Sequence, residues 1–157
     1  MLNLQLVSPS DGKQIAIVRA MFNEYQAELG VDLCFQSFQE ELESLPGKYG
    51  PPGGTLYLGY LDDQVAACGG LRALDDGACE IKRVYVRPHF RRMGFARAMT
   101  LRLIEDGGRL GYTVCRLDTL RRLAAAVALY EGLQFKETQP YNFNPEPDIV
   151  YMERSLP

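Results

Sequence analysis

The stretch Val84-Tyr85-Val86-Arg87-Pro88-His89-Phe90-Arg91-Arg92-Met93-Gly94-Phe95-Ala96 carries the clearest chemistry in the chain. A hydrophobic run stops at Pro88, and a short basic loop leads into a helical pattern with the small residues Gly94 and Ala96 at the turn. The first amides of a helix have no internal partner and lie at its positive end. Where no side chain blocks them they can hold a diphosphate, and Arg91 and Arg92 add positive charge. A Walker A loop needs Gly-Lys-Ser/Thr and a dinucleotide turn needs G-x-G-x-x-G; the chain has neither. The pattern is a phosphate cradle of another kind, or else a tight-turn glycine beside a solvated arginine face.

Other reactive side chains are sparse. Cys34, Cys68, Cys79 and Cys115 form no C-x-x-C pair, and His89 is the only histidine. Buried, reduced thiols are therefore expected rather than disulfides or a metal site, and a covalent route through Cys68 is not favoured. His89 follows Pro88 in the loop and reads as solvent-facing. Asp118 and Thr119 end a strand at its carboxyl edge, where α/β sheets generally place ligands, and strand capping accounts for them equally well.

The elements that must position these residues follow from periodicity and breakers. Leu2, Leu4 and Leu6 alternate as a short strand. Asp11 with Gln14 forms a capping box, and Ile15, Val18, Phe22, Tyr25 and Leu29 then recur at helical spacing up to Gly30. A second helix is expected over residues 38–45, and residues 46–54 hold too much Pro and Gly for regular structure. Strands follow at 55–60, 64–71 and 78–87, with turns at Leu61-Asp62-Asp63 and Asp75-Asp76-Gly77. A helix at 95–110, weakened by Gly107-Gly108, precedes a strand at 113–118, a helix at 123–131, and strands at 135–138 and 149–154. In the strand at 78–87, period-two alternation puts residues 80, 82, 84 and 86 on one face. Early hairpins and late strand-helix-strand units predict an α/β fold, a mixed sheet with helices on both faces.

The 157 residues leave room for one domain, spanning 1–157. Seventeen basic against 20 acidic residues, net charge −3, speak against a nucleic-acid partner, which usually shows a basic surplus. No run reaches the roughly 18–20 apolar residues of a membrane span, and Met1-Leu2-Asn3-Leu4 lacks the basic head of a signal peptide. A cytoplasmic protein with no membrane contact is expected.

The ordered motifs resemble one family, the GNAT superfamily of acetyl-CoA-dependent N-acetyltransferases. Arg91-Arg92-Met93-Gly94-Phe95-Ala96 fits its Arg/Gln-x-x-Gly-x-Gly/Ala fingerprint. Ala126, Leu129-Tyr130 and Leu133-Gln134-Phe135 fit a second segment, with Gln134 in place of the usual glycine. The run from Cys79 to Pro88, Leu117-Asp118-Thr119, and Tyr141-Asn142 with Asn144-Pro145 are similar to an uncharacterised bacterial subgroup.

The resemblance implies a single-domain fold with a mixed sheet of about seven strands flanked by four helices, in which parallel strands 4 and 5 splay apart. It implies acetyl-CoA as co-substrate, with no metal. Its pantetheine arm would lie along Val84, Tyr85 and Val86, and its pyrophosphate on Arg91, Arg92, Met93, Gly94, Phe95 and Ala96. Tyr130 matches the family's general acid, or is a core aromatic. Glu80 matches the place where several members carry a general base, or is a surface carboxylate paired with Lys82 or Arg83. The acceptor pocket would be walled by the first two helices, the 46–54 loop and residues 141–147. Tyr25, Tyr49 and Tyr141 are its candidate contacts, Phe143 would join the aromatic wall, and Glu24, Glu28 or Asp32 would attract an amine. The expected acceptor is a small-molecule amine taken up by a monomer or homodimer. A protein lysine or N-terminal acetyltransferase and a non-catalytic acyl-CoA-binding module remain open.

Overall fold

Asp11 opens the first helix. Its Oδ1 accepts from the backbone N–H of Lys13 at 3.0 Å and of Gln14 at 3.1 Å, so two of the orphan donors of a helix start are filled. The return arm of the box goes elsewhere: Gln14 Oε1 accepts from the Ser8 N–H at 3.1 Å. The helix, α1, runs Gly12–Leu29 and stops at Gly30, left-handed at φ 70°. The computed structural model describes residues 1–30 and 37–157. Cys34 and Asp32 lie outside them.

The other elements are β1 (Leu2–Leu6), α2 (Phe38–Ser44), β2 (Thr55–Leu61), β3 (Gln64–Ala73), β4 (Ala78–Val86), α3 (Phe95–Arg109), β5 (Val114–Leu120), α4 (Ala124–Gly132), β6 (Lys136–Glu137) and β7 (Ile149–Ser155). The seven strands form one sheet in the order β1-β2-β3-β4-β5-β7-β6. Among the described residues only β4 and β5 pair in parallel, as the four-helix, mixed-sheet expectation requires. One face is covered by α3 and α4 through Phe95, Met99, Leu103 and Tyr130, packed on Cys79, Ile81 and Leu117. The opposite face is covered by α1 and α2 through Val18, Phe22, Phe38 and Leu42, packed on Leu58, Cys68 and Tyr85. Among the described residues no helix is long and apolar enough to cross a membrane.

Two irregularities of β4 shape the centre of the molecule. Cys68 pairs with Tyr85 and Gly70 with Lys82, so Arg83 and Val84 together oppose Gly69. This is a β-bulge, with Arg83 in the left-handed region at φ 60°. Cys68 donates its thiol to the Arg83 carbonyl at 3.3 Å. The bulge breaks the alternation expected from sequence. Glu80 and Lys82 point away from Ile81, toward Tyr141 and Asp118, whereas Val84 and Val86 pack with Ile81 on the α3 side. The second irregularity is the splay: β4 and β5 pair only from Ala78↔Val114 to Glu80↔Arg116, although both strands continue well beyond.

The 46–54 loop corrects a second expectation. It contains a 3-10 turn, Gly47–Tyr49, which drives the Tyr49 ring into the core rather than toward an acceptor. Tyr49 is 2% exposed and meets Phe22 edge-on at 6.0 Å. A Cβ on Gly70 would stand 2.6 Å from that ring, so the strand needs glycine there to admit it. Tyr49 is therefore no substrate contact.

Candidate functional site

The cradle takes shape between β4 and α3. Arg87 leads into a 3-10 turn, Pro88–Phe90, whose Phe90 ring packs edge-on against Phe95 at 6.4 Å. Arg92 and Gly94 then adopt left-handed conformations, φ 66° and 89°. The first bond of α3 runs from the Ala98 N–H to the Gly94 carbonyl at 3.0 Å. The N–H groups of Phe95, Ala96 and Arg97 thus have no intrahelical acceptor. No side chain caps this helix start, no acidic residue occupies its first turn, and a Cβ on Gly94 would meet nothing within 4 Å. An anion fits this open, positive helix end.

Side chains of the expected cradle divide by burial. Phe95 is buried in the core, so its contribution is its backbone; Arg92 and Met93 are exposed. Arg91 is already engaged, with Nε donating to the Val86 carbonyl at 3.0 Å and its other end paired with Glu28. His89 is exposed, as expected.

The splay opens a cleft beside this cradle. Ile81, Lys82, Arg83 and Val84 line it from β4, and residues Leu117 to Leu120 from β5. Tyr25 and Leu29 of α1, Tyr130 and Ala126 of α4, and Asn144 and Glu146 close the remaining sides. Tyr130 packs edge-on against Phe135 at 5.9 Å, and burial pushes its hydroxyl well above the ordinary phenol range. It stays protonated and can donate. Tyr25 also lines the cleft, edge-on to Tyr85 at 5.9 Å, and burial raises its pKa to about 12.

On the α1 and α2 side the cleft borders a buried charge network. Glu80 is 0% exposed. Its Oε1 accepts from Arg72 Nε at 2.9 Å and its Oε2 from the Tyr141 hydroxyl at 2.6 Å. Both oxygens are taken and Glu80 does not line the cleft, so it is neither an open base nor a surface carboxylate. Lys82 Nζ stands 3.9 Å from Glu80 Oε2 and 3.8 Å from Asp118 Oδ2. Burial lowers the Lys82 pKa, opposed by Asp118 and Glu80. Asp118 Oδ2 accepts from Asn142 Nδ2 at 3.3 Å. Arg83 is bound to Glu41 through two contacts, at 2.9 and 3.1 Å.

Several expected acceptor contacts go elsewhere. Tyr141 seals Glu80, stacks edge-on to Tyr151 at 5.3 Å, and sits outside the cleft. Phe143 is exposed. Glu24 and Glu28 do not wait for an amine: Glu24 binds Arg87 at 2.7 and 2.9 Å, and Glu28 binds Arg91, tying α1 to the cradle loop. Cys68 is fully buried, and burial pushes its thiol pKa up, which removes it as a nucleophile. Cys79 and Cys115 are buried free thiols. Among the described residues no cluster of three or more His, Cys, Asp or Glu could hold a metal. The sequence offered the Glu80–Lys82 pairing, present at 3.9 Å, but not the convergence of Arg72, Asp118 and Tyr141 on it from other segments.

Known proteins share this fold. Residues 18–135 match the family described as Acetyltransferase (GNAT) family. The uncharacterized N-acetyltransferase C1271.07c of Schizosaccharomyces pombe is 39% identical over 141 residues, 88% of this chain and 86% of that protein. An acetyltransferase structure from Streptococcus agalactiae superposes with a TM-score of 0.80 at 17% identity, covering 99% and 98% of the two chains. YncA from Salmonella typhimurium, solved with acetyl-CoA, does so with 0.69 at 20% identity, covering 99% and 94%. The chain therefore belongs to the acetyltransferase (GNAT) family and is an N-acetyltransferase.

Proposed function

We propose that the chain moves the acetyl group of acetyl-CoA to the primary amine of a small molecule by direct attack. The observation that carries this reading is the splay: β4 and β5 separate beyond Glu80, the cleft between them holds a buried phenol and a carboxylate, Tyr130 and Asp118, and β4 leads on to an uncapped helix start. The amides of Phe95, Ala96 and Arg97 would hold the diphosphate, and Gly94 leaves them open. Bound acetyl-CoA supplies the acetyl group as a thioester with a thiol leaving group. Val84 lines the cleft, and its backbone lies where β4 has lost its β5 partner and can satisfy the arm.

Proton handling falls to two side chains on the cleft wall. The acceptor ammonium must lose a proton before it can attack, and Asp118 Oδ2 takes it, directly or through water. The Tyr130 hydroxyl gives a proton to the departing sulfur. Glu80 acts one step back as a positioning residue: it fixes Arg72 and Tyr141 and flanks Lys82. A cleft walled on five sides, by α1, β4, β5, α4 and the segment before β7, suits a small acceptor better than a protein chain.

The test is a panel of small amines and peptides incubated with acetyl-CoA, read by free thiol release. Turnover with small primary amines is expected. Turnover with peptides alone would favour the protein-acetylating alternative. Silence across the panel, with acetyl-CoA still bound, would leave the binding module.

A further inference from the structure

Among the described residues, the arginines around the acceptor side of the cleft sit in closed pairs, while Glu146 on the cleft wall stands 3.6 Å from Arg122. Arg72 binds Glu80, Arg83 binds Glu41 and Arg116 binds Glu153, each with a contact of 2.9–3.0 Å. Lys82 is different. Its side chain is 4% exposed and lines the cleft, yet its carboxylate neighbours stand at 3.8 and 3.9 Å, beyond hydrogen-bond reach. An ammonium has three donors, and neither carboxylate neighbour stands within hydrogen-bond distance of them, so a ligand in the cleft can accept from Lys82. Asp118, 12% exposed, lines the same cleft, and its Oδ2 accepts one long bond from Asn142. An unfilled cation and a partly filled anion thus stand side by side where β4 and β5 separate.

The charged residues on the cleft wall are Lys82 and Arg83 against Asp118 and Glu146, which balance. A polyamine or a polyanion would bring uncompensated charge into this site, and a zwitterion would not. We infer that the acceptor is an α-amino acid, with its carboxylate on Lys82 Nζ and its ammonium on the Asp118 carboxylate. In an α-amino acid the nitrogen and the carboxyl carbon are bonded to the same carbon, which holds the two charges close enough to meet partners 3.8 Å apart. The inference rests on the proposed acetyl transfer to a small amine and names its substrate class. It also gives Lys82 a specificity role that the acetyl-transfer reading leaves empty.

The experiment compares a free α-amino acid, its carboxamide and its decarboxylated amine as acceptors at saturating acetyl-CoA, with acetyl-CoA affinity measured in parallel by calorimetry. The wild-type protein should prefer the free acid in kcat/KM by about 10- to 100-fold, the worth of one charge-assisted contact. Lys82→Met should lower kcat/KM for the acid, through KM, about 10- to 100-fold more than for the carboxamide. A wild-type protein that uses the carboxamide or the amine as well as the acid overturns the inference, and this comparison needs no variant to fold. Equal losses on acid and carboxamide in a folded Lys82→Met protein that still binds acetyl-CoA also overturn it. Turnover of another amine class without any α-amino acid sinks the substrate class alone. Acetyl-CoA binding with no turnover of any amine sinks the acetyl-transfer reading beneath it.

Discussion

The two sides of the cleft are built from different materials. The side that runs to α3 is made of backbone: a strand that has lost its partner and a helix start with no cap, with Gly94 between them. The side toward α1 and α2 is made of charged side chains from distant segments. Glu80 meets Arg72 across eight residues and Tyr141 across 61, and Lys82 meets Asp118 from another strand. A backbone site depends on keeping side chains out, so one wrong side chain ruins it and most others are neutral. A side-chain network depends on every partner and fails by degrees.

The sharpest way to break that contrast is Gly94→Glu. The new carboxylate would enter the positive helix end and oppose a diphosphate directly. Acetyl-CoA affinity should fall by at least about 1,000-fold, the loss of two or more charge-assisted bonds. Gly94→Ala serves as the control: its Cβ meets nothing within 4 Å, so its loss should be confined to the strain of φ 89°. Calorimetry that found Gly94→Glu near the wild-type affinity would remove the cradle.

On the other side, Glu80→Gln leaves the shape and removes the charge. Arg72 and Lys82 would then be buried beside a neutral group. Stability should drop by about 3 kcal/mol, as for a buried ion pair broken from one end, with acetyl-CoA affinity of the folded fraction unchanged. Tyr141→Phe removes one bond to the same carboxylate. The double variant should lose less than the sum of the two, because both act on one network. Additive losses in chemical denaturation would show that the network is not a unit.

Tyr130 stands where the two sides meet. Tyr130→Phe keeps the ring packed on Phe135 and deletes the proton. Turnover should fall by about 100-fold, within the usual range of general acid catalysis, while acetyl-CoA affinity stays near wild type. Because burial raises the Tyr130 pKa, the wild-type rate should keep its acid through about pH 10, where an ordinary phenol is half ionised. An unchanged turnover number would take Tyr130 out of the mechanism.

The same division explains what could be read from the sequence. Local signals were legible: Asp11 and Gly30 bound α1 as expected, and the strand-loop-helix run around Gly94 holds its cradle geometry. The family motifs carried the splay and the seven-strand sheet. What failed needed partners far along the chain. The face expected for residues 80–86 reversed at Arg83, a residue with no glycine to advertise a left-handed bulge. Tyr49 left the acceptor wall because Gly70, 21 residues on, opens a hole for its ring. Glu24 and Glu28 were claimed by Arg87 and Arg91, some 60 residues away.

Gln134 gives the smallest effect and the most local one. It follows α4 at φ 74°, where the Phe135 N–H reaches back to the Tyr130 carbonyl at 3.0 Å and closes the helix end. The family's usual glycine at this position is thus a demand of the backbone, and this chain meets it with a strained, exposed glutamine. Gln134→Gly should relieve a left-handed penalty of about 1 kcal/mol, partly offset by the added freedom of glycine in the unfolded chain. The expected result is a small rise in the unfolding midpoint with unchanged turnover, since the side chain lies outside the cleft. A destabilised variant would mean that the Gln134 side chain holds the α4 terminus in place. Tyr130, four residues earlier, would then owe part of its position to a side chain rather than to the backbone turn.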